Sequence, residues 1–110
     1  MKINFKNTWR PLPSCVTIKT SGIEGLGLYA IEDIPKGTDL GLTRIMYHGE
    51  FIRTALGSYL NHVDNNPNCI NVPNENIHGD ICCYLITKDD IKSGDEMTLT
   101  YQMAEYPQIS

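Results

Sequence analysis

Three short segments hold the residues best able to do chemistry. The first is Gly22-Ile23-Glu24-Gly25-Leu26-Gly27, which runs into Leu28-Tyr29-Ala30. A Gly-x-Gly spacing lets backbone amides approach a ligand closely, because no Cβ intervenes. No helix pattern follows it, so it is not a dinucleotide fingerprint and makes no phosphate cradle at a helix start. Taken by itself it reads first as a glycine-rich turn between strands. The second segment is Leu60-Asn61-His62-Val63-Asp64-Asn65-Asn66-Pro67-Asn68-Cys69. It is dense in side chains that bond nearby backbone, which favours an ordered loop. His62 and Asp64 are of metal-ligating type, but a third and fourth ligand at recognisable spacing are missing, so no metal is expected. The third is Gly94-Asp95-Glu96-Met97-Thr98-Leu99-Thr100-Tyr101, in which Met97, Leu99 and Tyr101 share one face of a strand. Tyr101 is then either a core aromatic with a wet hydroxyl or a phenol facing a ligand.

Strands must hold these segments, because no stretch keeps the i, i+3, i+4, i+7 apolar pattern of an amphipathic helix over three turns. Strand-like runs recur at Cys15 to Lys19, Gly27 to Ala30, Thr38 to Thr43, Cys69 to Val72, Ile81 to Thr87 and Met97 to Tyr101. Turn-rich stretches separate them at Ser21-Gly22, Pro35-Lys36-Gly37, Asp64 to Asn68 and Lys92-Ser93-Gly94. Only Arg53 to His62 has room for a short helix. The run Ile81 to Ile86 is almost wholly apolar and is expected to be buried on both faces. The fold class is therefore mostly β, with many short strands and little helix.

An internal echo constrains the scaffold. Asp33-Ile34-Pro35-Lys36-Gly37 resembles Asp90-Ile91-Lys92-Ser93-Gly94, and each copy lies between apolar strands. The physical sense is a tight turn in which Ile34 or Ile91 plugs the core, while Gly37 or Gly94 supplies the positive φ that reverses the chain.

At 110 residues the chain suits one domain. Its 41% hydrophobic residues with nine glycines are ordinary for a globular chain, and 20% charged residues exclude disorder driven by charge. No apolar run approaches the ~18 residues of a membrane span, and the N-terminus has no apolar signal core, so no membrane association is expected. Cys15, Cys69, Cys82 and Cys83 show no Cys-x-x-Cys spacing, which reads as a reduced, intracellular, soluble protein without disulfides. Cys82 and Cys83 are adjacent on a strand, so one is expected inward and the other outward. A formal charge of -4 argues against a nucleic-acid duplex as partner and suits a lysine-rich one.

In this order, Gly25-Leu26-Gly27-Leu28-Tyr29-Ala30, Asn61-His62 with Pro67-Asn68-Cys69, and Gly94 to Tyr101 together resemble the SET-domain protein lysine methyltransferases. The Asp-Ile-x-x-Gly linkers are a habit of the same family. The resemblance covers about residues 15–101 of a single domain spanning 1–110, with 1–14 as an N-terminal extension and 102–110 as a C-terminal tail. It implies a mostly-β clip of several short-stranded sheets, with the C-terminal strand segment threaded under the Asn-His loop as a pseudoknot. It implies S-adenosylmethionine as cofactor and a lysine-bearing protein or peptide as substrate. Gly25, Leu26 and Gly27 would offer backbone contacts to the methionine part. Asn61 and His62 would contact the cofactor and hold the pseudoknot, with His62 nearest the adenine. Tyr101 would be the catalytic tyrosine, Tyr47 a second channel tyrosine, and Tyr59 either a channel wall or a core aromatic. The alternative on the same scaffold is a non-catalytic interaction module, with or without bound cofactor.

The sequence departs from the family pattern in several places. The Asn-His loop lacks the usual Ser-Cys pair and is one residue longer, and Ser58 stands where an arginine is usual. The insert from about Arg44 to Gly57 is very short. Nine residues follow Tyr101 without a Cys-rich zinc segment, so no structural zinc is expected. Minimal viral or phage-type members look like this. The wall over the lysine channel would come from Tyr106 or from a second subunit, which leaves room for a homodimer.

Overall fold

A computed structural model of the chain describes residues 12–75 and 79–100. Two four-stranded sheets carry the fold. The first has the order β1 (Val16–Thr20), β2 (Leu26–Ala30), β8 (Glu96–Leu99), β5 (Asn61–His62). The second has the order β4 (Glu50–Arg53), β3 (Asp39–Tyr47), β7 (Ile81–Thr87), β6 (Cys69–Glu75). All pairings are antiparallel except β5 with β8, which run parallel through Asn61↔Thr98 and His62↔Leu99. Among the described residues the only α-helix is α1 (Ala55–Ser58).

The six runs read as strands are all present among the described residues, the last of them up to Leu99, with Tyr101 outside those residues. One long apolar cluster joins both sheets: Leu28, Met97 and Leu99 from the first meet Leu40, Cys69 and Leu85 from the second, with Ile34 and Ile91. Each of these side chains contributes about 1.5–3 kcal/mol by leaving water. The two echoed turns close this core as a pair. Ile34 and Ile91 form an antiparallel bridge and are both buried, while Gly37 and Gly94 take φ of 84° and 95°.

Three expectations need correction. The helix window 53–62 yields only four helical residues. Thr54 caps them, its Oγ1 accepting from Gly57 N at 3.3 Å and donating to Leu42 O at 2.6 Å. Gly57 and Ser58 are weak helix formers, and Asn61-His62 is drawn instead into pairing with β8. β3 continues to Tyr47 and returns through a two-residue turn, His48-Gly49, both with positive φ, into β4. This is the hairpin geometry that matches strand twist. β7 is not buried on both faces throughout: Ile81, Tyr84 and Ile86 are half-buried, and Ile70 and Val72, paired beside Ile86 and Tyr84, are exposed. Cys82 and Cys83 do point to opposite faces, against Ile45 and Arg44, yet both are buried.

Candidate functional site

The glycine-rich turn is shaped by Ser21. Its backbone N–H donates to Gly25 O at 2.8 Å, and its Oγ accepts from Ile23 N at 2.8 Å and Glu24 N at 3.3 Å. Gly25 completes the reversal with φ of 49°, and nothing lies within 4 Å of where its Cβ would stand. Gly27 has a different task. It is buried, and a Cβ there would land on the carboxylate of Glu96, with Ser21 Cβ 3.1 Å away on another side. The two glycines of the Gly-x-Gly therefore differ: one gives the turn its backbone angle, the other makes room for a carboxylate.

That carboxylate is a hub. Ser21 Oγ lies 2.8 Å from each Glu96 oxygen, and the Tyr29 hydroxyl is 3.1 Å from Oε1. Asn61 Nδ2 donates to Oε2 at 2.9 Å. The same amide nitrogen also faces Ser21 Oγ at 3.0 Å and the carbonyls of Glu24 and Leu26 at 3.1 and 3.2 Å. Those carbonyls and the carboxylate can only accept, so the NH₂ end of Asn61 must face them. Hydrogen bonds to a charged acceptor contribute about 1.5–3 kcal/mol each. Ser21, Tyr29 and Glu96 were not singled out by the sequence reading. The only signal was that Glu96 follows Gly94-Asp95 in the third motif, since its partners lie 75, 67 and 35 residues away.

The loop after Asn61 grips β8 at both ends. β5 pairs along one edge of β8, and the ladder continues through Val63 N to Leu99 O at 2.9 Å and Thr100 Oγ1 to Val63 O at 2.8 Å. At the other end Asn68 Nδ2 donates to Glu96 O at 2.8 Å, and Asn68 Oδ1 accepts from Thr98 N at 2.8 Å. The Asn68 amide thus mimics a strand neighbour for β8. Asn66, with φ of 55°, turns the loop between these two anchors. A cleft of about 310 Å³ opens beside it, lined among others by Asp64, Asn65, Pro67, Lys88 and Thr100.

The other predicted site residues are spread out. His62 is half-exposed, and its Nε2 lies 2.8 Å from Asp64 Oδ1. Tyr59 ends α1 and packs against the core cluster. Tyr47 stands exposed at the tip of the β3–β4 hairpin, in the second sheet, with its ring edge-on to His48 at 4.0 Å between centroids. Tyr101 and Tyr106 lie outside the described residues. Cys69, at the end of the loop, is not a nucleophile: burial pushes its thiol up to about 12, against a smaller lowering by a hydrogen bond from the Thr98 backbone. Among the described residues no group of three or more His, Cys, Asp or Glu side chains could hold a metal, and no helix is long and apolar enough to cross a membrane.

Solved structures share this fold. A candidate histone methyltransferase of Plasmodium falciparum superposes with a TM-score of 0.68 over 83% of this chain and 96% of that one, at 18% identity. The fold is that of the SET domain. Polycomb Repressive Complex 2 of Chaetomium thermophilum, in a humanized mutant bound to an inhibitor, matches 84% of the chain with a TM-score of 0.63 and 20% identity. Its apo, autoinhibited form matches equally well at 19% identity. In both of these the chain spans only 16% of the larger protein. No protein-family model and no curated protein matches the sequence.

Proposed function

We propose that this SET-fold chain is a protein lysine methyltransferase, transferring a methyl group from S-adenosylmethionine to a lysine side chain of a protein substrate. The observation that carries the reading is the seating of Asn61 against the glycine turn. Its NH₂ end is committed to Glu96, Ser21 and two turn carbonyls, so the amide atom left for a ligand is Oδ1, an acceptor. An acceptor there suits the ammonium of an amino-acid moiety. The exposed backbone of Gly22 to Leu26 beside it, with open space where Cβ atoms of Gly22 and Gly25 would stand, suits the rest of the methionine part. These residues fit the amino-acid end of S-adenosylmethionine, with Gly25, Leu26 and Gly27 supplying backbone and His62 following Asn61 toward the adenine. The two-ended grip of residues 61–68 on β8 is the proposed pseudoknot.

When bound, the cofactor would supply an electrophilic methyl on a positive sulfonium, whose charge would disfavour a neighbouring ammonium. A free lysine near pKa 10.4 needs about 4.6 kcal/mol to be neutral at pH 7, a requirement that a neighbouring positive charge would lower. A tyrosine base would add little, because a phenol at about 10 is as rarely ionised. Tyr101 is therefore assigned to hold and orient the neutral amine through its hydroxyl. Tyr47, exposed at the hairpin tip, is the proposed second channel tyrosine, and Tyr59, which packs against the core cluster, is either a channel wall or a core aromatic. The acidic balance of the chain draws in lysine-rich segments.

The test is methyl transfer from radiolabelled S-adenosylmethionine to a panel of lysine-rich proteins and peptides. Label on lysine that falls at least about a hundredfold in Tyr101→Phe, with cofactor affinity kept, supports the assignment. Cofactor binding without label on any lysine identifies the non-catalytic module instead. Full turnover in Tyr101→Phe removes Tyr101 from its role.

A further inference from the structure

We infer that Glu96 is the positioning residue of the ligand-binding turn: through Ser21 and Asn61 its carboxylate holds residues 21–26 in the arrangement that receives the ligand. The inference rests on reading that turn as the cofactor site.

Proton accounting gives the direction of each bond. Ser21 Oγ faces three N–H donors, Ile23 N, Glu24 N and Asn61 Nδ2, and its single proton goes to Glu96, because the carboxylate can only accept. Asn61 spends its amide protons between the Glu96 carboxylate and the turn carbonyls, which bolts one to the other. The Tyr29 hydroxyl, 3.1 Å from both Glu96 Oε1 and Thr20 O, has one proton to share between the carboxylate and the end of β1. Each Glu96 oxygen thus faces protein donors, and through them Glu96 acts on the turn.

The turn has little else to hold it. Gly22 to Leu26 are all exposed, with Ile23 and Leu26 at about half their full accessibility. Packing therefore cannot fix their conformation, and hydrogen bonds must. Ser21 is the residue that bonds the turn amides, and Glu96 is the group that fixes the rotamer of Ser21. Remove the carboxylate and the Ser21 hydroxyl is free to turn its proton toward water or a turn carbonyl. With that side chain no longer held in one rotamer, the amides of Ile23 and Glu24 lose a fixed acceptor, and Asn61 keeps only Ser21 and the Glu24 and Leu26 carbonyls to orient its amide. Gly27 is the backbone counterpart of this design, since any side chain there would displace the carboxylate.

Two readouts test the inference: calorimetric affinity for S-adenosylhomocysteine well below the melting transition, and amide hydrogen exchange across residues 22–26. The variants are Glu96→Ala, Glu96→Gln, Ser21→Ala and the Ser21→Ala/Glu96→Ala pair. Glu96→Ala is expected to weaken binding by about tenfold or more, as loss of a charge-assisted hydrogen bond implies. It should also speed exchange at Ile23 and Glu24. Glu96→Gln keeps one carbonyl acceptor for Ser21 and should recover most of both effects. The double variant should be little worse than Glu96→Ala alone, because the Ser21–Glu96 link is already gone there. If Glu96→Ala does not fold, Ser21→Ala carries the same comparison. A lower melting temperature with affinity within about twofold of wild type would make Glu96 merely structural and overturn the inference. Unchanged exchange at residues 22–26 would overturn it too, whatever the wild type binds. A wild type that binds no ligand, while Glu96→Ala still speeds exchange, would refute the cofactor reading and leave the positioning role intact.

Discussion

Ile34 and Ile91 face each other across the seam between the two echoed turns, each donating its backbone N–H to the other's carbonyl, at 2.7 and 2.8 Å. The turns also cap one another. Asp90 Oδ1 accepts from Lys36 N at 2.8 Å, and Asp33 Oδ1 accepts from Ser93 N at 2.9 Å. Each copy of the motif thus supplies the aspartate that its partner's turn needs, and both isoleucines are driven into the core between the sheets. Ile91 is the more deeply buried of the two, at 1% exposure against 3%. Ile91→Ala is expected to cost about 2–5 kcal/mol of stability in urea unfolding, the range for emptying a well-packed core site. Asp33→Ala and Asp90→Ala should each cost about 1 kcal/mol, as a lost cap does. A cost below ~1 kcal/mol for Ile91→Ala would mean that the seam is not part of the cooperative core.

Gly27 gives a prediction of a different kind, because what fills its Cβ position is a side chain that can itself be removed. Gly27→Ala should destabilise by about 1–3 kcal/mol, the cost of overpacking. In a Glu96→Ala background the same substitution should cost clearly less, since the colliding carboxylate is gone. Chemical denaturation of the four proteins of this cycle measures the coupling. Equal costs in both backgrounds would show that Gly27 is required for another reason.

The Cys69 thiol has a pH signature whose sign follows from its burial. Its folded value of about 12 lies above the ordinary 9.0, so the unfolded chain ionises first as pH rises. The stability it contributes is full below about pH 9 and is lost as pH climbs toward 12. Cys15 shifts the same way, pushed up first by burial and then by the charge of Glu32. Alkylation by iodoacetamide at pH 8 should therefore spare Cys69 in the folded protein and reach it only on unfolding. Rapid modification of Cys69 by native protein would contradict the burial that closes the 61–69 loop.

The strands were legible where local chemistry repeats. The echoed Asp-Ile-x-x-Gly turns gave away both their glycines and their core isoleucines, because the angle and the apolar plug are written within five residues. What they could not reveal was that Ile34 and Ile91 pair with each other, since that contact spans the chain. β4 and β5 escaped for the same reason. Glu50 to Arg53 carries too little alternation to mark a strand, and Asn61-His62 is made one only by the neighbouring edge of β8. The site was half legible. The glycine turn stands out by its residue types and Asn61 by the family resemblance, yet nothing marks the carboxylate that joins them, because Ser21, Tyr29 and Glu96 are ordinary polar residues until the fold brings them within 3.1 Å. Gly27, the second glycine of that spacing, also leaves the room that the Glu96 carboxylate occupies.

The most direct test of the account is calorimetric titration of the purified chain with S-adenosylmethionine and with S-adenosylhomocysteine, repeated on Asn61→Ala. The account predicts binding of both ligands at about micromolar strength, weakened by about tenfold or more in Asn61→Ala, whose amide carries both the turn and the ligand-facing acceptor. Asn61→Ala should also melt at a lower temperature, because its four turn and carboxylate contacts go with it. No heat with either ligand, or full wild-type affinity in Asn61→Ala, would contradict the assignment of this turn as a cofactor site.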